Sequence, residues 1–263
     1  MKTVKDLETG KGKRFVKLLT IGNTGAGKTH LAATFPKCYF MITEPGGEET
    51  WLNRPELKKN IVGFDYFIPR SADDTKQVFI ELNKACDEAY RMAEAGEIET
   101  LILDNMTYLA ENRWSYINKH TPQYGRSGEI NGQAMYGDLG RWLYQFTYMK
   151  LLRCPCNVVV NCHEMLESDE AMDKKPDKST PILPSILGGF RNNIGGMFSC
   201  VFYLAHAKGG DGKYKYFART KKGQGKNAKN RYNLPETIEN ISYDTIMAAI
   251  EKSVKDTNKG ETK

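Results

Sequence analysis

Eight consecutive residues near the start of the chain have the types and spacing of a phosphate-binding loop. They are Gly22, Asn23, Thr24, Gly25, Ala26, Gly27, Lys28 and Thr29, and they match G-x-x-x-x-G-K-[ST] at every fixed position. The glycines allow backbone N–H groups to converge on a polyphosphate at the positive end of a helix. We expect Lys28, as an exposed cation, to reach the β- and γ-phosphates. We expect the Thr29 hydroxyl to coordinate Mg²⁺, with His30 as a further nucleotide contact.

Two carboxylates are candidates for the metal and for the catalytic base. Asp104 ends an apolar run, residues 101–104, and is the expected metal-side carboxylate beside Thr29. The next residue is Asn105, whereas P-loop ATPases of the AAA+ and helicase type usually have their catalytic glutamate there. Hydrolysis would then need Glu44, which ends a predicted strand that we expect next to the strand feeding the loop, and which could orient or deprotonate water. The alternative is that Glu44 is an exposed turn acid before Pro45.

The elements that position these groups alternate between apolar strands and helices. Strands are predicted at 15–21, 38–43, 61–68, 100–104 and 157–162, with helices at 28–35, 133–153, 243–251 and from a cap at Ser71 to Gly96. Segments 199–207 and 214–220 flank a glycine-rich turn and predict a hairpin. The fold class is therefore α/β, with a mainly parallel central sheet flanked by helices and a C-terminal antiparallel hairpin extension.

Composition limits the class of protein. The chain has 263 residues, of which 40% are hydrophobic and 27% charged, which excludes collagen-like, low-complexity and fully disordered proteins. We expect a flexible basic arm over residues 1–14, one core domain over 15–253 and a polar tail over 254–263. The chain has no apolar run of 18 residues, no apolar signal-like start and six cysteines without C-x-x-C spacing, so we expect a cytoplasmic protein without membrane contact.

The net charge of +6 comes from one segment. Residues 212–235 contain no acid and eight basic residues, and without these eight the acidic residues outnumber the basic ones. This distribution is typical of a local anion-binding surface. A solvated loop with accidental charge is the alternative.

The order of these features resembles a known family. A P-loop, a glutamate after the second strand, a strand-ending aspartate without a following glutamate, and a polar residue after the next strand resemble the RecA-type recombinase core. Within that group, residues 15–235 look most like the short bacteriophage RecA-core proteins regarded as ATP-dependent single-strand annealing proteins. The resemblance implies a RecA-like P-loop NTPase that uses ATP and Mg²⁺ and acts in the host cytoplasm.

The resemblance also implies residue roles. Lys28 and Thr29 match the phosphate and metal ligands, Glu44 the catalytic glutamate and Asp104 the metal-supporting aspartate. His163 follows the strand 157–162, where RecA proteins have a glutamine that senses the γ-phosphate; a structural strand-end histidine is the alternative. A zinc site with Cys154, Cys156 and Cys162 is disfavoured by their spacing.

The resemblance further implies assembly. Arg219 and Lys221, with Lys222, would reach nucleotide bound on a neighbouring subunit, in a homo-oligomeric ring or filament with ATP at the interfaces.

RecA-type proteins hold single-stranded DNA with two loops, which here would be residues 113–141 and 164–190. The first mixes cations with aromatic rings, whereas the early half of the second is acidic. Mobile surface connections are the alternative for both. The expected DNA contacts are Arg113, Arg126, Arg141, Arg191, Lys226, Lys229 and Arg231.

The sequence thus predicts a DNA-stimulated ATPase that binds single-stranded DNA and promotes annealing or recombination. A single-strand binding protein is a further candidate partner. Two other functions stay open. One is a nucleotide-gated loader or interaction protein for DNA replication or recombination, and the other is a P-loop kinase for a small acceptor.

Overall fold

Eleven strands are present in the part of the chain that the computed structural model describes, namely residues 15–166, 181–208, 210, 214–223 and 225–260. They are β1 (Lys17–Ile21), β2 (Cys38–Ile42), β3 (Ile61–Tyr66), β4 (Thr100–Asp104), β5 (Asn157–Cys162), β6 (Glu164–Leu166), β7 (Ile182–Pro184), β8 (Cys200–Lys208), β9 (Tyr214–Arg219), β10 (Lys229–Asn230) and β11 (Thr237–Glu239).

Eight helices accompany these strands within the same residues. They are α1 (Lys28–Ala33), α2 (Glu49–Leu52), α3 (Pro55–Lys58), α4 (Thr75–Ala95), α5 (Met106–His120), α6 (Gly132–Gln145), α7 (Phe190–Met197) and α8 (Tyr243–Gly260). A π-helical segment, Phe146–Leu151, continues α6.

One sheet contains nine of the strands, in the order β11-β9-β8-β1-β5-β4-β2-β3, with β10 paired to β8. Pairing is parallel from β3 to β8 and antiparallel between β8, β9 and β11. Strands β6 and β7 form a separate antiparallel pair. This is the predicted fold class, a mainly parallel α/β sheet with an antiparallel extension at its C-terminal end.

The middle strands are buried on both faces because helices cover each side. Side chains alternate along a strand, so neighbouring residues enter different layers. Leu19, Met41 and Leu103 enter the layer formed with α4 to α7, whereas Leu18 and Ile102 enter the layer formed with α1 to α3 and α8. The carboxyl ends of β1, β2, β4 and β5 therefore meet at one covered edge, from which the candidate site residues emerge.

The predicted strand neighbours are wrong in one respect. β2 does not lie next to β1, because β5 and β4 lie between them. Each parallel connection passes through helical segments long enough to skip a strand, so chain order does not determine sheet order. Glu44 therefore starts three strands away from the strand that feeds the phosphate-binding loop.

Three predicted element boundaries also differ. Helix α4 starts at Thr75 after Asp74, because Ser71 opens a separate turn in which Asp74 N donates to Ser71 O at 3.2 Å. Residues 113–141 are not one loop, since they contain most of α5 and the start of α6. Helix α8 continues to Gly260, into the predicted tail, because extending a formed helix needs backbone hydrogen bonds and not an apolar face.

The C-terminal hairpin is confirmed by the antiparallel pairing of β8 with β9. Its predicted turn lies mostly outside the described residues, as do the predicted arm 1–14 and the acidic residues 167–180.

The first glycine of the phosphate-binding loop gives a stability prediction. A Cβ on Gly22 would lie 2.7 Å from the backbone oxygen of Leu204, which cannot rotate away. We expect Gly22→Ala to lower the free energy of unfolding by about 1–3 kcal/mol, as other overpacked positions do. Denaturant titration followed by circular dichroism measures it.

Gly137→Ala is the matched control, because a Cβ at this helical position meets nothing within 4 Å. It should raise stability by about 0.5–1 kcal/mol. Equal stability of the Gly22→Ala variant and the wild type would contradict the close approach to β8.

Candidate active site

The phosphate-binding loop is the turn between β1 and α1, and two of its glycines have backbone conformations that other residues rarely adopt. Gly25 has φ 79° and Gly27 has φ 89°. The left-handed region is open to glycine without a steric penalty. Gly27 is also the N-cap of α1, so the loop delivers backbone N–H groups at the start of a helix. The loop faces a cleft of about 400 Å³.

Lys28 is buried, in contrast to the exposed cation that the sequence predicts. Its side chain is 7% exposed, and Nζ donates to Gly22 O at 2.8 Å and Asn23 O at 2.9 Å. Burial lowers the pKa of Lys28, and the charge of Asp104 opposes that shift. The ammonium is therefore held inside the loop by carbonyl oxygens, and a bound phosphate would compete with them for it.

Thr29 and Asp104 form the predicted metal pair. Thr29 Oγ1 donates to Asp104 Oδ2 at 2.7 Å, so a hydroxyl and a carboxylate from α1 and β4 already lie together. Both are hard oxygen ligands of the kind that Mg²⁺ binds alongside phosphate oxygens and water. The residues present thus fit a magnesium-bound polyphosphate.

Asp104 lies in a polar row that crosses the sheet below the loop. Burial raises the pKa of Asp104, while the Asn161 amide, Thr29 and Lys28 oppose the shift. Thr20 Oγ1 donates to Asn161 Oδ1 at 2.6 Å. Asn161 Nδ2 has no hydrogen bond of ordinary geometry within the described residues although it is buried beside this carboxyl. The Asn161 amide thus places an N–H donor beside the carboxyl group of Asp104.

Glu44, Asn105 and His163 form a cluster on the other side of Lys28. His163 Nε2 lies 3.2 Å from Glu44 Oε2, to which Asn105 Nδ2 also donates, and His163 Nδ1 lies 3.5 Å from Lys28 Nζ. The Nε2–H tautomer satisfies both sides, because Nε2 then donates to the carboxylate and Nδ1 accepts from the ammonium. The hydrogen bond from His163 is the largest cause that lowers the pKa of Glu44.

Backbone contacts fix this cluster. Thr43 Oγ1 donates to Asn105 O at 2.6 Å and accepts from Asn105 N at 2.8 Å. Asn105 Oδ1 caps α5 by accepting from Tyr108 N, which directs its Nδ2 to Glu44. The Asp104–Asn105 peptide bond is cis. His163 N donates to Thr107 Oγ1 at 3.0 Å, which ties the end of β5 to α5.

The structure therefore brings five predicted residues into one cleft from four parts of the chain. Lys28, Thr29, Glu44, Asp104 and His163 all line it, together with His30 and loop residues 24, 25 and 27. Glu44 is reached although β2 is not next to β1, because His163 and Asn105 at the ends of β5 and β4 bridge the intervening strands.

Arg219 and Lys221 do not line the cleft of their own chain. Arg219 Nη1 donates to Glu236 Oε1 at 2.9 Å, and the Arg219 side chain is largely covered. Lys221 and Lys222 are exposed on the following turn. Their predicted contact with a neighbouring subunit stays a prediction.

Arg54 and Tyr216 line the cleft and were missed by sequence reasoning. Arg54 Nη1 donates to His30 Nδ1 at 2.7 Å, and burial followed by the charge of Arg54 lowers the pKa of His30. Tyr216 reaches the loop from β9. Neither residue belongs to a motif, and only the fold reveals their position.

The predicted DNA contacts of the first loop have different surroundings. The Arg113 guanidinium packs against the rings of Phe79, Tyr116 and Trp142, at 5.3, 4.3 and 4.8 Å, so it is not displayed on a loop as predicted. Arg126 is exposed between α5 and α6. Arg141 is exposed on α6 and pairs with Asp138 at 3.4 Å.

The remaining predicted DNA contacts lie on α7 and after β9. Arg191 lines a second cavity, of about 280 Å³, with Thr107 and Tyr136, and its Nη1 lies 3.5 Å from Met165 Sδ. The other three are Lys226, which is half-buried, Lys229, whose Nζ donates to Gly196 O at 3.2 Å, and Arg231, which is exposed.

Two further observations concern other sites. Cys154 and Cys156 lie before β5 starts, whereas Cys162 and His163 lie at its far end, so they cannot ligate one ion. Over residues 15–260, apart from the gaps in the description, no helix is long and apolar enough to cross a membrane.

Comparison with known proteins agrees with the geometry of the cleft. Residues 14–232 match the AAA_24 family, described as an AAA domain. A KaiC-like protein from the hyperthermophilic archaeon Pyrococcus horikoshii OT3 is 13% identical, with a TM-score of 0.36 over 77% of this chain and 76% of that chain. No curated protein sequence matches significantly. Because the match covers most of the chain and includes the whole phosphate-binding loop, the chain belongs to the AAA domain family of P-loop ATPases.

Proposed function

We propose that the protein binds ATP with Mg²⁺, hydrolyses it, and uses this cycle to control annealing or recombination of single-stranded DNA in a homo-oligomeric assembly. The observation that carries the catalytic half is the convergence of Lys28, Thr29, Asp104, Glu44 and His163 on one cleft. A cation, a metal-ligand pair and a carboxylate base are the parts that phosphoryl transfer to water needs.

The residues divide the work by their chemistry. Lys28 exchanges its carbonyl partners for the β- and γ-phosphates, since its ammonium lies at the loop. Mg²⁺, held by Thr29 and Asp104, would neutralise phosphate charge. The hydrogen bond from His163 lowers the pKa of Glu44, and the Glu44 carboxylate can orient and deprotonate the attacking water. His163 contacts both Lys28 and Glu44, so a change at the γ-phosphate would alter two of its hydrogen-bond partners.

A route from the cleft to the predicted DNA surface supports the second half of the proposal. His163 N donates to Thr107 Oγ1, and Thr107 lines the cavity that also contains Arg191 and Tyr136. The Tyr136 ring stacks on Trp114 at 4.2 Å and is partly exposed. An aromatic pair beside a cation suits base stacking and backbone contact.

One observation favours the second candidate, a nucleotide-gated loader that does not turn over ATP rapidly. Both Asn105 and His163 donate to the same oxygen of Glu44, which weakens that oxygen as a base. A small-molecule kinase is disfavoured, because among the described residues that line the cleft the only arginine is Arg54.

ATP turnover measured with and without single-stranded DNA tests the proposal, with light scattering alongside to report assembly. We expect turnover that rises with DNA together with a larger assembly. Tight ATP binding without turnover under either condition would favour the loader. Phosphate transfer to a small acceptor without a DNA effect would favour the kinase.

Lys28 gives the binding prediction. Lys28→Met keeps most of the apolar stem and removes the charge, so we expect ATP affinity to fall at least about tenfold while the fold is retained. Calorimetric titration measures the affinity, and circular dichroism checks the fold, because the variant loses two internal hydrogen bonds. Wild-type affinity in a folded variant would contradict the phosphate assignment.

Glu44 and His163 give a pH prediction. The carboxylate form of Glu44 is the active form, and its pKa is lowered, so the acid limb of the wild-type rate should lie below 4.5, the ordinary value for a glutamate. His163→Ala removes the main donor, which raises the pKa of Glu44 and moves the acid limb to higher pH. His163→Gln retains a donor and should shift it less.

Single-turnover hydrolysis from about pH 3 to pH 8 measures these profiles, with Glu44→Gln as the control that binds ATP and hydrolyses it far more slowly. An unchanged acid limb in the His163→Ala protein would show that the hydrogen bond does not control the base. Unchanged turnover of Glu44→Gln would move the base to another residue.

Arg219 and Lys221 give the assembly prediction. The double replacement by alanine should suppress DNA-stimulated turnover but leave the ATP affinity of an isolated subunit nearly unchanged, because neither side chain reaches its own cleft. Lys221→Ala alone leaves the Arg219–Glu236 pair intact, so it distinguishes the contribution of Lys221 from that of Arg219.

Glu236→Gln is the matched control, since it removes the charge that pairs with Arg219 and leaves the arginine in place. Full DNA-stimulated turnover in the double variant, with assembly verified by light scattering, would contradict a role for these cations at the neighbouring site.

A further inference from the structure

Tyr216 forms a wall of the cleft from the far end of the chain. A Cβ placed on Gly27 would lie 3.0 Å from Tyr216 Cδ1 and 3.4 Å from Cε1, so one side of the ring lies against Gly27 of the phosphate-binding loop. Yet Tyr216 is 42% exposed. A large part of the ring surface therefore stays open beside the cleft.

The strand that carries the Tyr216 ring makes contacts on both of its edges. Tyr216 pairs with His206 across β8 and β9, and the His206 ring lies 5.8 Å from it. On its other side, Tyr216 O accepts from Asn240 N at 2.9 Å. Pairing on both sides fixes the backbone of Tyr216, so the point from which the ring projects is set before a ligand binds.

In the proposed function, the Glu44–His163 end of the cleft takes the terminal phosphate. Glu44 and His163 hold the hydrolytic end, and Thr29 with Asp104 holds the metal position. The nucleoside of a bound triphosphate must extend away from that end. Among the described residues that line the cleft, Tyr216 carries the only phenol, phenyl or indole ring.

We propose that Tyr216 is the stacking platform for the nucleobase, which makes it a specificity-determining residue for nucleoside triphosphates over inorganic polyphosphate. The proposal rests on the proposed nucleotide binding and adds the base subsite to it. Every base has a π-face, so stacking alone selects for a base without selecting which one. ATP and GTP should depend on Tyr216 to the same extent.

A purely structural role is the competing explanation, in which the ring only covers Gly27 and shapes the loop. The two roles differ in their effect on the phosphate part of the ligand. Loss of a base platform weakens nucleotides but not inorganic tripolyphosphate. Loss of loop shape weakens both in proportion.

The experiment measures the Kd of ATP, GTP and inorganic tripolyphosphate by calorimetry with Mg²⁺ on the full chain. We expect Tyr216→Ala to weaken ATP and GTP about tenfold each and to leave tripolyphosphate unchanged. Tyr216→Phe keeps the ring and should bind like the wild type.

Tyr214→Ala is the matched control, because Tyr214 lies on the same face of β9 two residues away, is 58% exposed and does not line the cleft. It should bind all three ligands like the wild type.

Equal ATP affinity in the Tyr216→Ala and wild-type proteins would overturn the base subsite alone, as would a proportional loss of tripolyphosphate. A wild-type protein that binds neither ATP nor tripolyphosphate would overturn the proposed function, and the base subsite with it.

Discussion

The buried carboxyl group of Asp104 is the constraint on which the site depends. A carboxylate removed from water is costly unless hydrogen bonds or an opposite charge compensate for it. Here the compensation comes from Thr29, from the neighbouring Asn161 amide and from Lys28, which is itself buried and held by loop carbonyls. The need to stabilise the buried Asp104 carboxyl group therefore accounts for the positions of all three groups. The arrangement that lowers the cost of one buried carboxylate is also the arrangement that can hold a metal-bound polyphosphate.

Parts of this site could be predicted from the sequence, because they depend on local pattern. The phosphate-binding loop needs only eight adjacent residues, Asp104 ends one buried strand and His163 directly follows another. Strands that are parallel place their ends at one edge, so these groups had to meet. The order of the strands could not be predicted, since helical connections let β2 join the sheet beyond β4. Hydrogen bonds from Asn105 and His163, at the ends of the intervening strands, hold Glu44 in the cleft. Hydrophobic periodicity does not predict such side-chain contacts.

Arg113 shows why composition did not reveal the surroundings of a cation. Arginine among aromatic residues is the expected pattern for a surface that stacks bases, and it is also the pattern of a guanidinium packed between rings. Phe79 comes from α4 and Trp142 from α6, so the packing depends on how three helices meet. Desolvation lowers the pKa of Arg113, in keeping with this enclosure. Only the packing of the helices distinguishes a base-stacking surface from a guanidinium enclosed by rings, and residue types alone do not determine that packing.

Strand β9 couples two regions that the sequence presents as separate. Tyr216 contacts the phosphate-binding loop. Arg219, the last residue of the same strand, donates a hydrogen bond to Glu236. Strand β9 pairs with β8 on one side and with β11 on the other, so one strand of the sheet carries both the Tyr216 ring and Arg219. Tyr216 thus ties the basic segment, residues 212–235, to the nucleotide cleft of its own chain, although none of the described lysines and arginines of that segment lines the cleft.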